Sequence, residues 1–97
     1  MEKELKIAAV ITAKSQYNEL IFEALKEVVD NTRKEEGNIS YVLHQDLKEP
    51  LKYVIFEHWK SQEDLDIHES SDHFKKLVET IDGKTAAFEV LKVKEIY

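Results

Sequence analysis

The sequence contains no cysteine, one proline, two glycines and one tryptophan among its 97 residues. Because cysteine is absent, disulfides, thiolate nucleophiles and cysteine-based metal sites are all excluded. The sequence also lacks an apolar run near the roughly 20 residues that a membrane-spanning helix needs. Residues 1–12 lack the apolar core of a signal peptide. We therefore expect a protein that has no membrane partner and resides in the cytoplasm.

Positive charge is scarce as well. Lysine and arginine together number 14 against 20 aspartates and glutamates, which gives a net charge of -6. Nucleic acids need a basic protein surface, so a nucleic-acid partner is not expected. The sequence has no glycine-rich phosphate loop, no dinucleotide-binding fingerprint and no HExxH motif. We accordingly expect no cofactor.

The hydrophobic periodicity predicts the elements of one domain spanning residues 1–97. Alternation with a period of two predicts strands over residues 5–14, 38–46, 52–59 and 85–97. Helical spacing predicts one long helix after residue 15, and a pair of shorter helices after residue 61 with a break near residues 70–71. Ser15 and Ser61 are predicted N-caps. Gly37 and Gly83 are predicted helix ends, Gly37 in the left-handed conformation.

This order of elements predicts an α+β, ferredoxin-like split βαβ fold: a four-stranded antiparallel sheet with helices on one face. Strand 52–59 is apolar on both sides, with Tyr53, Ile55 and Trp59 on one and Val54 and Phe56 on the other. Helices can cover only one of these sides. We therefore predict a homodimer whose two sheets meet and form a dimeric α+β barrel.

Glu57 is the most unusual residue of that strand, because it lies between Ile55 and Trp59 on an otherwise apolar side. A buried carboxylate needs a hydrogen-bonding or charged partner, or its pKa rises. An ion pair and a functional role are both consistent with this position.

Two histidines flank the predicted helix break. His68 follows Leu65 by one turn and is predicted to point inward, while His73 lies in the first turn of the next helix, where the helix dipole disfavours protonation. Either can be a neutral base near pH 7, and either can equally be a capping or packing residue. Their spacing of five is not that of two ligands on one helix face, so no metal site is predicted.

Two stretches of the chain resemble the antibiotic biosynthesis monooxygenase domain family: EEGNISYVLHQD at 35–46 and YVIFEHWKSQEDLDIHESSDHF at 53–74. The family pattern is a helix ending in E-x-G, a strand with an aromatic residue, Leu and Asp, then F-x-x-Y-E-x-W and H-x-x-x-x-H-F. We place these on Glu36, Gly37, Tyr41, Leu43, Asp46, Glu57, Trp59, His68, His73 and Phe74.

The resemblance implies a homodimer with one pocket per subunit, and a cofactor-independent monooxygenase that uses O2 on a small quinol-like or polyketide-like aromatic substrate. One branch of the family isomerises a small phosphorylated dione, and a non-catalytic dimeric ligand-binding domain is a further alternative. Haem degradation is discounted, because residues 8–10 lack its Asn and residues 75–79 lack its His. The predicted catalytic residues are His68, His73 and Glu57. The predicted substrate contacts are Trp59, Tyr41, His44 and Phe74.

Overall fold

The computed structural model describes residues 3–97, and its helices and strands follow the predicted order. The elements are β1 (Leu5–Ala13), a 3-10 turn (Ser15–Tyr17), α1 (Asn18–Thr32), β2 (Asn38–Gln45), β3 (Lys52–Trp59), α2 (Gln62–Glu69), α3 (Asp72–Ile81) and β4 (Thr85–Val93). Within these residues the strands form one antiparallel sheet in the order β2-β3-β1-β4. The predicted α+β ferredoxin-like fold is confirmed.

The helices cover the sheet face that carries the apolar side of β1. Ile7, Ala9 and Ile11 pair with Glu57, Ile55 and Tyr53 of β3, and paired residues of an antiparallel sheet point to the same face. All six are buried, together with apolar side chains of the three helices: Ile21, Leu25, Val28, Val29, Leu65, Leu77 and Ile81. This single layer of core therefore lies between the sheet and the helices.

The opposite face of the sheet, here called the open face, is not covered by any element in residues 3–97. Its apolar side chains are about half exposed: Val42 at 41%, Phe56 at 51%, Leu91 at 47% and Val93 at 51%. The predicted one-sided coverage of the sheet is therefore confirmed. No helix in the described residues is both long and apolar enough to cross a membrane.

Two predicted details at the helix ends and strand ends are wrong. Ser15 does not cap α1, because it begins the 3-10 turn and the helix starts at Asn18 without a side-chain cap. The last strand ends at Val93 rather than residue 97, because Val93 pairs with Lys6 near the start of β1, where the ladder runs out. Ser61, by contrast, caps α2 as predicted by accepting from the backbone N–H of Asp64.

The two glycines serve different purposes. Gly83 has φ of 73°, and among residues 3–97 it alone adopts the left-handed conformation. Gly37 does not adopt that conformation, so this prediction is wrong. Its missing side chain is instead required by space, because a Cβ atom there would overlap the side chain of Asp64 on α2.

We expect this difference to appear as opposite preferences for alanine and asparagine. At Gly37, Ala should cost roughly 1–3 kcal/mol through overpacking and the larger Asn should cost more. At Gly83, where nothing lies within 4 Å of the added atom, Asn should cost less than Ala, because Asn tolerates the left-handed region. Urea unfolding of G37A, G37N, G83A and G83N measures which of the two substitutions costs more stability at each position. The same order at both positions would contradict this account.

Candidate functional site

A small, partly enclosed cavity of about 80 Å³ lies between the sheet and helices α2 and α3. Its walls are mostly apolar and come from all four strands and the two helices. The polar side chains on its walls are Tyr41, Glu57, His68 and Glu69. The cavity thus combines an apolar surround with a few convergent polar groups, which is the usual composition of a small-molecule site.

Glu57 enters the cavity from the centre of the sheet. Only 8% of the residue is exposed, and its Oε1 accepts a hydrogen bond of 2.9 Å from the indole Nε1–H of Trp59. Burial raises the pKa of Glu57 to about 7, and the Trp59 hydrogen bond opposes that rise. Both the protonated and the ionised forms of this carboxyl group are therefore populated near neutral pH.

Trp59 is fully buried and does not line the cavity. Its indole contacts Glu57 through the hydrogen bond, and its role as part of the substrate wall stays a prediction. Tyr41 and Phe74, which were also predicted substrate contacts, do line the cavity. Burial raises the pKa of the Tyr41 phenol far above its usual value, with the Glu57 charge as a second cause, so this side chain is a proton donor in hydrogen bonds.

His68 points inward from α2, as predicted, and its ring is enclosed by aromatic side chains. The ring centroid lies 4.7 Å from that of Trp59, 4.9 Å from Phe74 and 5.6 Å from Tyr41. Burial lowers the pKa of His68, while the neighbouring carboxylate of Glu35 acts in the opposite direction. The imidazole is thus held rigidly and is neutral at neutral pH.

Glu35, just after α1, joins the two histidines. Its Oε2 lies 2.6 Å from Nδ1 of His68 and 2.8 Å from Nε2 of His73. A carboxylate only accepts, so each of these ring nitrogens carries a hydrogen. Because His68 is neutral with its hydrogen on Nδ1, its Nε2 is left with a free lone pair. Glu35 therefore fixes the tautomer in which His68 can accept a proton at Nε2.

Glu35 was not predicted as a site residue. The acid of the E-x-G pattern was placed on Glu36, which is exposed and makes no hydrogen bond to either histidine. Counting two residues back from Gly37 would have identified Glu35 instead. The spacing of five, which excludes two ligands on one helix face, does not prevent the two histidines from meeting across the helix break. The helix break at Ser70–Ser71 turns α3 so that His73 approaches His68 across five residues, with ring centroids 5.9 Å apart.

The remaining predicted site residues lie outside the cavity. His73 borders the groove between α1 and α3, and it contacts the ring of His68 and the carboxylate of Glu35 without lining the cavity itself. His44 is exposed on the open face, where its ring packs against Phe56 at 4.8 Å. The structure therefore brings Tyr41, Glu57, His68 and Phe74 together and separates His44 from them by the thickness of the sheet.

The chain belongs to the antibiotic biosynthesis monooxygenase family, whose model matches residues 5–80. YcnE of Bacillus subtilis, named as a candidate monooxygenase, is 29% identical over 72 residues, which cover 74% of this chain and 76% of YcnE. A solved antibiotic biosynthesis monooxygenase is 29% identical with a TM-score of 0.90, covering 96% of this chain and 99% of that one. PA3566 from Pseudomonas aeruginosa matches with a TM-score of 0.93 at 24% identity, covering 100% of this chain and 98% of PA3566, and bears on the fold alone.

The raised pKa of Glu57 predicts how stability depends on pH. The folded state binds the proton with a pKa of about 7, against 4.5 for an unperturbed glutamate. Stability contributed by this group is therefore present at low pH and falls as pH rises from about 4.5 to 7. The free energy of unfolding of Glu57→Gln minus that of wild type should therefore rise by roughly 2 kcal/mol between pH 5 and pH 8.

Urea unfolding of both proteins at the two pH values measures this difference. Subtracting the wild-type free energy of unfolding at each pH removes the opposing contribution of His68. The lowered pKa of that histidine makes stability fall as pH drops. Glu79→Gln, at an exposed position on α3, serves as the control and should show no such change. An equal pH response of E57Q and wild type would show that Glu57 is not buried as an acid.

Proposed function

We propose that this chain is a cofactor-independent monooxygenase acting on a small electron-rich aromatic compound, of the quinol or anthrone type. One observation carries the proposal: His68, whose Nδ1 is held by Glu35, lines an apolar cavity. Membership of the monooxygenase family supports it. Tyr41 and Glu57 line the same cavity.

In the proposed reaction, Nε2 of His68 removes a proton from the substrate and leaves an electron-rich anion. The Tyr41 hydroxyl stabilises the oxyanion by a hydrogen bond. The anion carbon bonds to O2 and, after protonation by Glu57, forms a hydroperoxide. Loss of water from an anthrone-type hydroperoxide leaves a carbonyl, so one oxygen atom enters the product and the other leaves as water. The apolar walls keep bulk water away from the anion.

The cavity must open to admit a ring, because 80 Å³ is smaller than the roughly 150 Å³ that accommodates benzene in a protein core. Its outer wall is formed by Phe88 and Val90 of β4, each 46% exposed. Movement at this wall is the shortest route from the solvent to His68. We propose that the substrate enters there.

The isomerase alternative is less well supported, because a phosphorylated substrate needs a cationic group and no lysine or arginine lines the cavity in the described residues. Arg33, the single arginine of the sequence, donates to the backbone carbonyl of Tyr41 at 2.9 Å, away from the cavity. The alternative of a non-catalytic ligand-binding domain would use the same cavity to hold its ligand. Turnover, rather than the presence of the cavity, separates this alternative from an oxygenase.

Oxygen uptake with a panel of hydroquinones and anthrones tests the proposal. His68→Asn should lower turnover by about 10²- to 10⁴-fold, the usual contribution of a general base, while circular dichroism confirms that the variant folds. His44→Asn, on the open face, should leave turnover unchanged. Wild-type turnover in H68N would remove His68 from the mechanism, and turnover without O2 consumption would favour the isomerase.

We also propose that a second copy of the chain covers the open face. The surface area of 6555 Å² exceeds by roughly 800 Å² the value expected for a monomer of this mass. A standard protein interface buries about this area per partner. The half-exposed apolar side chains of the open face are the surface that this interface would cover, and pairing of two copies would give the predicted dimeric barrel.

Sedimentation analysis tests this assembly. Wild type should sediment at twice the chain mass of 11.4 kDa. Phe56→Asp, at 51% exposure on the open face, should shift the protein to monomer, because the charge would be buried at the interface. Ile67→Asp, at 58% exposure on α2, is the matched control and should remain dimeric. A monomeric wild type would refute the assembly.

A further inference from the structure

We propose that Glu35, His68 and His73 form a binding site for a divalent transition-metal ion of the zinc type. The cluster consists of one carboxylate oxygen and two imidazole nitrogens, and these three atoms all lie within 4.8 Å of one another. The inference does not rest on the proposed oxygenase reaction, because it concerns the opposite edge of the His68 ring from the one used there.

The donor set selects the kind of ion. Two imidazoles with one carboxylate suit zinc, cobalt, nickel and iron(II), whereas calcium and magnesium prefer oxygen ligands throughout. Zinc sites with three protein ligands leave a fourth position for water or another small molecule. Glu69 also acts electrostatically on His68 and adds negative charge on this side of the molecule.

The geometry requires only small side-chain movements. An ion about 2.0–2.2 Å from each ligand needs ligand atoms separated by no more than roughly 4 Å. The oxygen of Glu35 must withdraw from its hydrogen bonds of 2.6 and 2.8 Å, while the two nitrogens approach each other slightly. His68 is immobilised by the surrounding aromatic rings, so it serves as the fixed ligand. Glu35 and His73 provide the adjustment.

The site is accessible from the solvent. The side chains of Glu35 and His73 are 14% and 22% exposed, against 2% for His68. His73 borders the groove between α1 and α3, which provides a path for the ion and for a water ligand. The ion would thus bind at the base of the groove, with His68 as its innermost ligand.

Metal binding would change the state of the His68 ring. A ligating nitrogen must be free of hydrogen, so an ion at Nδ1 places the ring hydrogen on Nε2. The ion-bound form would then donate a hydrogen bond into the cavity and could not act as the base. Turnover measured with and without a chelator tests the proposed reaction separately from metal binding. Failure of the reaction can therefore be distinguished from failure of this inference.

The experiment is a titration of chelator-treated protein with Co²⁺, followed by visible absorption, and then displacement by Zn²⁺. Wild type should bind one ion per chain. Glu35→Gln, which keeps the size of the side chain, and His73→Asn should each weaken binding by more than about 100-fold, because direct ligands contribute more than the 10- to 100-fold of outer-shell groups.

Two histidines outside the cluster provide matched controls. His44→Asn and His58→Asn alter side chains on the open face, and both variants should bind Co²⁺ as wild type does. Circular dichroism establishes whether each variant is folded. If E35Q does not fold, the Co²⁺ affinity of H73N tests the site. Absence of stoichiometric binding, unchanged affinity in H73N, or loss of binding in H44N or H58N would overturn the inference.

Discussion

A single carboxylate oxygen, Oε2 of Glu35, receives hydrogen bonds from two imidazoles that lie on different helices. This contact ties the end of α1 to α2 and α3 at the break between those two helices. It also determines which nitrogen of His68 carries the hydrogen, and so which edge of the ring can react. The packing of the helices and the chemistry of the cavity therefore depend on the same three side chains.

The second constraint is that the helices cover only one face of the sheet. On the covered face, the apolar side chains of β1 and β3 exclude water from Glu57, and this burial raises its pKa to about 7. On the open face, Val42, Phe56 and Leu91 remain about half exposed. Strand β4 is exposed along both faces, although it also forms the outer wall of the cavity. Coverage by a second copy would therefore affect the site as well as the stability of the fold.

Most of the fold was predictable from the sequence because local signals agree with the tertiary arrangement. Alternation in residues 52–59 predicted the burial of Glu57 and Trp59, and Ser61 capped its helix as expected. The errors occurred where a distant contact determined the outcome. Gly37, in the turn before β2, has no room for a side chain because of Asp64 on α2, and no local pattern reveals this contact.

The candidate site was predictable only in part, for the same physical reason. Periodicity predicted that His68 points inward, but its partner Glu35 lies 33 residues away along the chain. Alternation on β2 and β3 predicted which side chains share a side of each strand. It could not show that Tyr41 of β2 lines the cavity while Trp59 of β3 donates to Glu57. Which strand side faces the helices is decided by packing, and that choice placed His44 on the open face.

The position of Trp59 has a practical consequence, because it is the single tryptophan of the sequence. Its indole donates to Glu57 and lies 4.7 Å from the ring of His68. All indole fluorescence of the chain therefore originates beside these two titratable groups. The intrinsic emission is thus a built-in optical probe of the surroundings of Glu57 and His68, and it needs no attached dye.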